Sequence, residues 1–277
     1  MTAPEIFDRT LRRSRRDRAA PGFAGHDFLH RFMAEGLADR LGMVARDFAD
    51  RLEIGSAVAL DHPPGARVAR LDPGYRFARA AGGVQADEDR LPFADAAFDL
   101  VVSAGVLDSV SDLPGALLLA RRVLRPDGLF VAALVGAGSL ATLRAVLVEA
   151  EADRPALRLH PQIDVRAAGD LLVRAGFALP VADTETLEVR YRDLFTLIGD
   201  LRGMAATNVL RDREPMSRAT LARAAAAFAA RADAEGRTTE RFEIVYLTGW
   251  APDASQPRPA RRGSATASLA AALGPPR

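Results

Sequence analysis

The chain predicts an α/β fold, a mostly parallel sheet with helices on both faces and a helical insertion or extension. Three observations predict it. Short apolar runs at 51–54, 67–71, 84–86, 98–103 and 129–135 alternate with turns and helix-patterned segments through the first half, which is the order of strands joined by crossovers. A glycine-bearing turn, Glu53-Ile54-Gly55-Ser56-Ala57, follows the first run. An acid, Asp72, closes the second, seventeen residues after Gly55. A strand, a glycine turn and an acid at the next strand end make up the order of a nucleotide-binding βαβ unit.

The elements follow in sequence. Residues 5–20 read as a short helix with a charged face, with Ile6, Phe7 and Leu11 on one side and Arg9, Arg12, Arg13, Arg15, Arg16 and Arg18 along it, either a solvated lead-in helix or a lid or docking arm for an acidic partner or anionic surface. Over 26–50, Phe28, Phe32, Leu37, Leu41, Val44 and Phe48 recur at helical spacing and predict one or two helices. A compact turn or helix is expected over 57–62, broken by His62-Pro63-Pro64-Gly65. A helix over 113–124 stops at Arg125-Pro126-Asp127-Gly128, read as a helix-to-strand turn. Helices are expected over 139–152, 167–175 (ended by Gly176), 191–204 and 218–231, with strands over 186–189 and 242–250. Four segments result: an N-terminal helical arm (1–50), a core (51–135), a helical insertion with the last strands of the same fold (136–250), and a Pro-, Ser- and Ala-rich tail (251–277).

Composition narrows the chemistry. The 277 residues carry a formal net charge of +1 and 49% hydrophobic residues, so no global field draws the chain to nucleic acid. All 37 basic residues are arginine, so lysine chemistry is absent. There is no cysteine and there are four histidines (26, 30, 62, 160), which excludes thiol chemistry and argues against a histidine-rich metal site. No run is long and apolar enough to span a membrane, and no signal-peptide pattern opens the chain, so a bacterial cytoplasmic setting is expected.

Candidate site residues fall at the strand ends. Glu53, Gly55 and Ala57 form the first loop, where Gly55 permits close backbone approach and Ala57 adds a methyl in the path of a ligand. Asp72 is placed to accept from ribose hydroxyls, or is the turn acid of Asp72-Pro73-Gly74. Asp87 is placed near an adenine amino group, or caps its strand end. Ser103 ends the fourth strand on the ligand side, whereas Asp99 at its start reads as a structural acid. The tail run from Gln256 to Thr266 is a flexible end or an arginine-bearing clasp for an anionic ligand. No catalytic residue and no metal site is assigned.

Taken together, Glu53-Ile54-Gly55-Ser56-Ala57, Asp72, Ala86-Asp87, Leu91-Pro92-Phe93, Phe98-Asp99-Leu100-Val101 and Leu124-Arg125-Pro126-Asp127-Gly128 resemble a class I S-adenosylmethionine-dependent methyltransferase with its Rossmann-like fold. Further motifs resemble bacterial relatives of the mitochondrial complex I assembly factor described as an arginine hydroxylase. They are Ile6-Phe7-Asp8-Arg9, Ala86-Asp87-Glu88-Asp89, Ser111-Asp112-Leu113-Pro114, Arg174-Ala175-Gly176-Phe177, Asp200-Leu201-Arg202-Gly203-Met204, Gly249-Trp250 and Ala260-Arg261-Arg262-Gly263-Ser264-Ala265-Thr266. The malonyl-carrier-protein methyltransferase of biotin synthesis is a more distant resemblance. These resemblances imply S-adenosylmethionine as cofactor, held by the 53–57 loop, Asp72 and Asp87. Three departures cluster around that pocket. The usual Asp-x-Gly-x-Gly is Glu53-Ile54-Gly55-Ser56-Ala57, the usual Leu-His-Trp is Leu107-Asp108-Ser109, and only seven residues separate Gly55 from His62.

Three readings stand at this point. One is a methyltransferase-like protein acting on a partner in respiratory complex I assembly, since methyl transfer needs mainly alignment. A second is an inactive scaffold or assembly protein of the same fold. A third, by resemblance alone, is hydroxylation of an arginine on a partner protein. The implied partner is a protein substrate or respiratory-complex subunit, not nucleic acid, with peripheral membrane contact open to the basic stretch 9–18.

Overall fold

Seven strands form one sheet in the order β3-β2-β1-β4-β5-β7-β6. They are β1 (Asp50–Ile54), β2 (Arg67–Asp72), β3 (Val84–Gln85), β4 (Phe98–Ala104), β5 (Leu124–Val135), β6 (Ala178–Tyr191) and β7 (Thr238–Trp250). The computed structural model describes residues 5–55, 57, 60–151 and 156–257. The first five strands pair in parallel; β7 runs antiparallel between β5 and β6. The expected mostly parallel sheet with helices on both faces is therefore what the chain builds.

The central strands show why. In β4, Leu100, Val102 and Ala104 enter one core while Val101 enters the other. In β5, Leu129, Val131 and Ala133 alternate in the same way with Phe130, Ala132 and Leu134. Side chains two residues apart share a face, so a strand apolar at every position is covered on both sides. On the first face lie residues of α2 (Phe28–Gly42), α3 (Tyr75–Ala80), α5 (Ala141–Ala150), α7 (Leu194–Gly203) and α8 (Arg218–Ala229); on the second lie α4 (Leu113–Val123) and α6 (Val165–Arg174). The N-terminal helix α1 (Arg9–Ala19) lies outside this sandwich and packs against α3.

Where alternatives stood open, the structure chooses: Ala57 sits in a turn and 60–62 are irregular, and a single helix fills 28–42. Other expectations need correction. The Arg125-Pro126-Asp127-Gly128 turn is absorbed into the head of β5, where the pairing with β4 jumps from Phe98↔Leu124 to Leu100↔Leu129 and Asp127 takes a φ of 58°. β6 runs fourteen residues rather than four, because an edge strand is covered on part of its surface only and shows little apolar pattern. Asp99 does what a structural acid does: its carboxylate accepts from the N–H groups of Ala49 (2.9 Å) and Asp50 (3.0 Å). The tail clasp lies outside the described residues beyond 257; Gln256 itself donates to Asp127 Oδ1 and the Ala251 carbonyl, both at 2.9 Å.

Candidate functional site

The carboxyl ends of β1, β2 and β4 open toward one cleft, as an open α/β sheet requires. Gly55 leaves β1 at φ 83°, its N–H donating to the Leu71 carbonyl of β2 at 2.8 Å. A Cβ here would meet the Ala104 carbonyl oxygen at 2.4 Å and Val106 Cγ1 at 2.8 Å. Glycine is thus required both by conformation and by close packing against the end of β4. Ala57 packs at the edge of the first core. Glu53 accepts from Arg70 Nε at 2.8 Å and lies 3.2 Å from His62 Nε2. Ser103 is buried with its hydroxyl unpartnered.

Asp72 is fully buried at the end of β2. One oxygen accepts the Gly74 N–H at 2.7 Å, as a turn acid would. Both oxygens also face Arg16 of α1: Nε to Oδ1 at 2.8 Å and Nη2 to Oδ2 at 2.6 Å. The same fork geometry repeats along the helix. Arg12 meets Glu88 through two bonds of 2.7 Å, and Arg9 meets Asp89 through two of 2.6 Å. Arg13 reaches Asp87 at 2.7 Å, with Arg9 also 3.2 Å from it. Positions 9, 12, 13 and 16 are spaced i, i+3, i+4, i+7 and share one face of a helix. That face is laid across Asp72 and the acidic run Asp87-Glu88-Asp89.

Local sequence sets this up. Asp8 caps α1 by accepting the Leu11 N–H at 2.9 Å. Phe7 anchors the chain before it, buried with Val209 and Leu210, and its N–H donates to Ser111 Oγ at 3.1 Å. The Arg16 guanidinium also lies over the Phe77 ring at 4.9 Å. Arg12 continues past Glu88, giving Nη2 to the Val106 carbonyl at 2.7 Å and Nε to Ser109 Oγ at 3.0 Å. Burial works against the Arg12 charge, but Glu88 outweighs it and holds the guanidinium above its ordinary value. For Arg9 the bond to Asp89 does the same. Paired, forked arginine–carboxylate contacts are the geometry that makes buried charge tolerable.

Behind this ladder stands His30 of α2, buried with neither ring nitrogen partnered. It rests on bare backbone: a Cβ on Gly105 would lie 2.8 Å from His30 Nε2. Burial first, and the Arg16 charge second, push its pKa down to about 3. Nearby, Asp108 and His160 line two small cavities of about 40 and 30 Å³. Burial also holds His160 below its ordinary value.

The residues present do not accommodate an adenosyl cofactor with α1 seated. Asp72, the acid expected to accept from ribose hydroxyls, is engaged by Arg16 at both oxygens. One of the three sequence departures, Leu107-Asp108-Ser109, belongs to this closure: Ser109 accepts from Arg12, and Asp108 lines the small cavity beside Arg12 and Arg16. Of the readings open for the basic stretch, a solvated helix or a lid or docking arm, the contacts of Arg9, Arg12, Arg13 and Arg16 fit the lid. Their spacing, set against Asp87-Glu88-Asp89, was the signal that would have found the ladder.

Comparison with known proteins agrees with this architecture. A methyltransferase-domain family model matches residues 42–132. The chain is 35% identical over 285 residues to the mitochondrial arginine-hydroxylase NDUFAF5 of Danio rerio, covering 96% of this chain and 88% of that protein. It is 34% identical to the Homo sapiens protein of the same name, covering 95% and 82%. The malonyl-[acyl-carrier protein] O-methyltransferase of Laribacter hongkongensis is 32% identical, covering 93% and 94%. Among solved structures, the YcgJ protein of Bacillus subtilis aligns with a TM-score of 0.55 at 14% identity over 79% of this chain and 98% of that one. A SAM-dependent methyltransferase of Thermotoga maritima aligns with a TM-score of 0.50 at 14% identity over 87% and 99%. These structural likenesses show the fold. The expectation of a cytoplasmic setting finds no support in these comparisons, whose NDUFAF5 relatives carry the word mitochondrial in their own names. No helix among the described residues is long and apolar enough to cross a membrane, which leaves the compartment open.

Proposed function

The chain belongs to the methyltransferase-fold family that includes the mitochondrial arginine-hydroxylases, and from that membership we propose that it works by binding a protein partner, in respiratory complex I assembly, with its cofactor cleft held shut by its own N-terminal helix. One observation carries this reading: Arg16 occupies both oxygens of the ribose acid while Arg9, Arg12 and Arg13 occupy the three acids beyond it. Ser109, standing where the family has an aromatic residue, contributes a bond to that closure. In this reading the fold supplies a rigid surface rather than a reaction.

A second reading is favoured by what the cleft retains. Gly55, Asp72 and Asp87 keep their places at the strand ends, so S-adenosylmethionine binding and partner methylation follow if α1 swings away.

The double variant Arg16→Met/Asp72→Leu separates the two. Replacing a buried ion pair by apolar side chains of similar size is often neutral or stabilising, and the variant has no ribose acceptor. In a strain lacking this gene, the partner-binding reading expects the variant to restore assembled complex I to the wild-type level, with its fold verified by circular dichroism. A folded variant that restores none would favour the cofactor-dependent reading.

A further inference from the structure

The outer side of α1 faces a second feature. Between α1, α7, the start of α8 and the 206–216 loop lies an open groove of about 1,190 Å³. That exceeds the volume of ordinary small-molecule sites. Its floor is apolar, formed in part by Leu194, Ile198 and Leu221, and Phe195 stands exposed at its rim. Five arginines from four segments line it: Arg15 and Arg18 of α1, Arg202 of α7, Arg158 and Arg213. Among its described lining residues the one carboxylate is that of Glu214.

The charge here differs in kind from the ladder on the inner side. Inside, every arginine meets an acid. In the groove, Arg18 and Arg202 are exposed, and no carboxylate or carbonyl among the described residues receives their guanidinium groups. Arg15 bonds only neutral groups, Thr207 Oγ1 at 2.7 Å and the Asn208 carbonyl. Burial, and then the charges of Arg213, Arg18 and Arg202, hold Arg15 below its ordinary value. Arg158 pairs with Glu151 and Arg213 lies 3.6 Å from Asp8, so it is Arg15, Arg18 and Arg202, set over an apolar floor without acids of their own, that form a positive surface in want of anions.

We propose that this groove docks a segment of a partner protein that carries acidic residues on one side and apolar residues on the other, the acids meeting Arg15, Arg18 and Arg202 and the apolar side chains covering the floor. This names the partner chemistry of the partner-binding reading and rests on it. The chain's own tail is a poor occupant: residues 258–277 hold four arginines and no acid. A flat anionic bilayer is disfavoured because the apolar floor is recessed between helices. An acidic amphipathic helix lies in such a groove with its charges toward the rim.

The probe is a fluorescein-labelled synthetic helix of about fourteen residues, with Glu on one face and Leu at i, i+3, i+4 and i+7 on the other. Fluorescence anisotropy with the full chain is expected to show saturable binding that weakens with salt, at least tenfold tighter than a peptide with every Glu replaced by Gln. Arg18→Glu/Arg202→Glu, both exposed and outside the ladder, is expected to lose at least tenfold. Arg174→Glu at the end of α6, away from the groove, is expected to leave binding unchanged. Equal affinity for the Glu and Gln peptides, or no loss in Arg18→Glu/Arg202→Glu, overturns the proposal. So does binding to phosphatidylglycerol vesicles with none to the peptide. The peptide readout does not involve Asp72, so its failure is distinct from failure of the Arg16→Met/Asp72→Leu complementation.

Discussion

At the scale of single residues, the cleft combines two kinds of buried polarity. Asp72 and Arg16 are a matched pair: removing one side alone leaves the other charged and buried, at a cost of about 3–5 kcal/mol. Arg16→Ala is therefore expected to destabilise the chain by that amount in urea, whereas Arg16→Met/Asp72→Leu stays within about 1 kcal/mol of wild type. Similar losses in both would mean that the pair is not the contact that matters. His30 is the opposite case, a base kept neutral without partners. Unfolded, its ring titrates near the ordinary 6.5; folded, it stays neutral down to about 3. Between those values the unfolded chain binds a proton that the folded chain refuses. Its contribution is intact above pH 6.5 and falls as pH drops toward 3, by up to about 1.4 kcal/mol per unit. Urea titrations from pH 7 to 4 are expected to show a shallower decline for His30→Leu than for wild type; equal slopes would remove His30 from the account. Neither environment was legible from residue identity. Asp72 was found because a strand end and a turn flank it, while its partner lies fifty-six positions away on a helix that reads as solvated.

At the scale of elements, strand and helix positions were legible wherever both faces of an element are apolar. β4 and β5 stood out as continuous hydrophobic runs, and α2 through its 3–4 spacing. What escaped was set by contacts distant in sequence. β6 is polar because it is an edge, so only its most alternating part was found. The start of α5 is another example. Leu140, preceding it, takes φ 58° and offers no side-chain cap. The fully buried Glu240 of β7 supplies one from across the fold, accepting the N–H groups of Thr142 (3.1 Å) and Leu143 (2.7 Å). Burial raises the pKa of Glu240, while these N–H bonds pull the other way. Glu240→Ala strands two helix donors away from water, and each unsatisfied group costs about 1–3 kcal/mol. A loss of about 2–4 kcal/mol is expected in denaturant titration, with hydrogen exchange at Thr142 and Leu143 accelerated. A loss below 0.5 kcal/mol would show that α5 is capped in another way.

At the scale of the whole molecule, the strand order β3-β2-β1-β4-β5-β7-β6 places Gly55, Asp72 and the end of β4 at one mouth, and α1 is the element laid over it. The general frame could be read from strand alternation and a few motifs. The state of the mouth could not, because it depends on which face of an arginine-rich helix turns inward. Four arginines turn toward the acids, and Arg15 and Arg18 turn toward the groove. One helix thus joins a closed cleft at the strand ends to the groove proposed for an acidic partner. Calorimetric titration with S-adenosylhomocysteine, comparing wild type with a chain in which Arg9, Arg12, Arg13 and Arg16 are all Gln, tests this closure most directly. The account predicts no saturable heat for wild type up to about 1 mM and a gain of at least tenfold in affinity for the variant. Micromolar binding by wild type, with no gain in the variant, would contradict it.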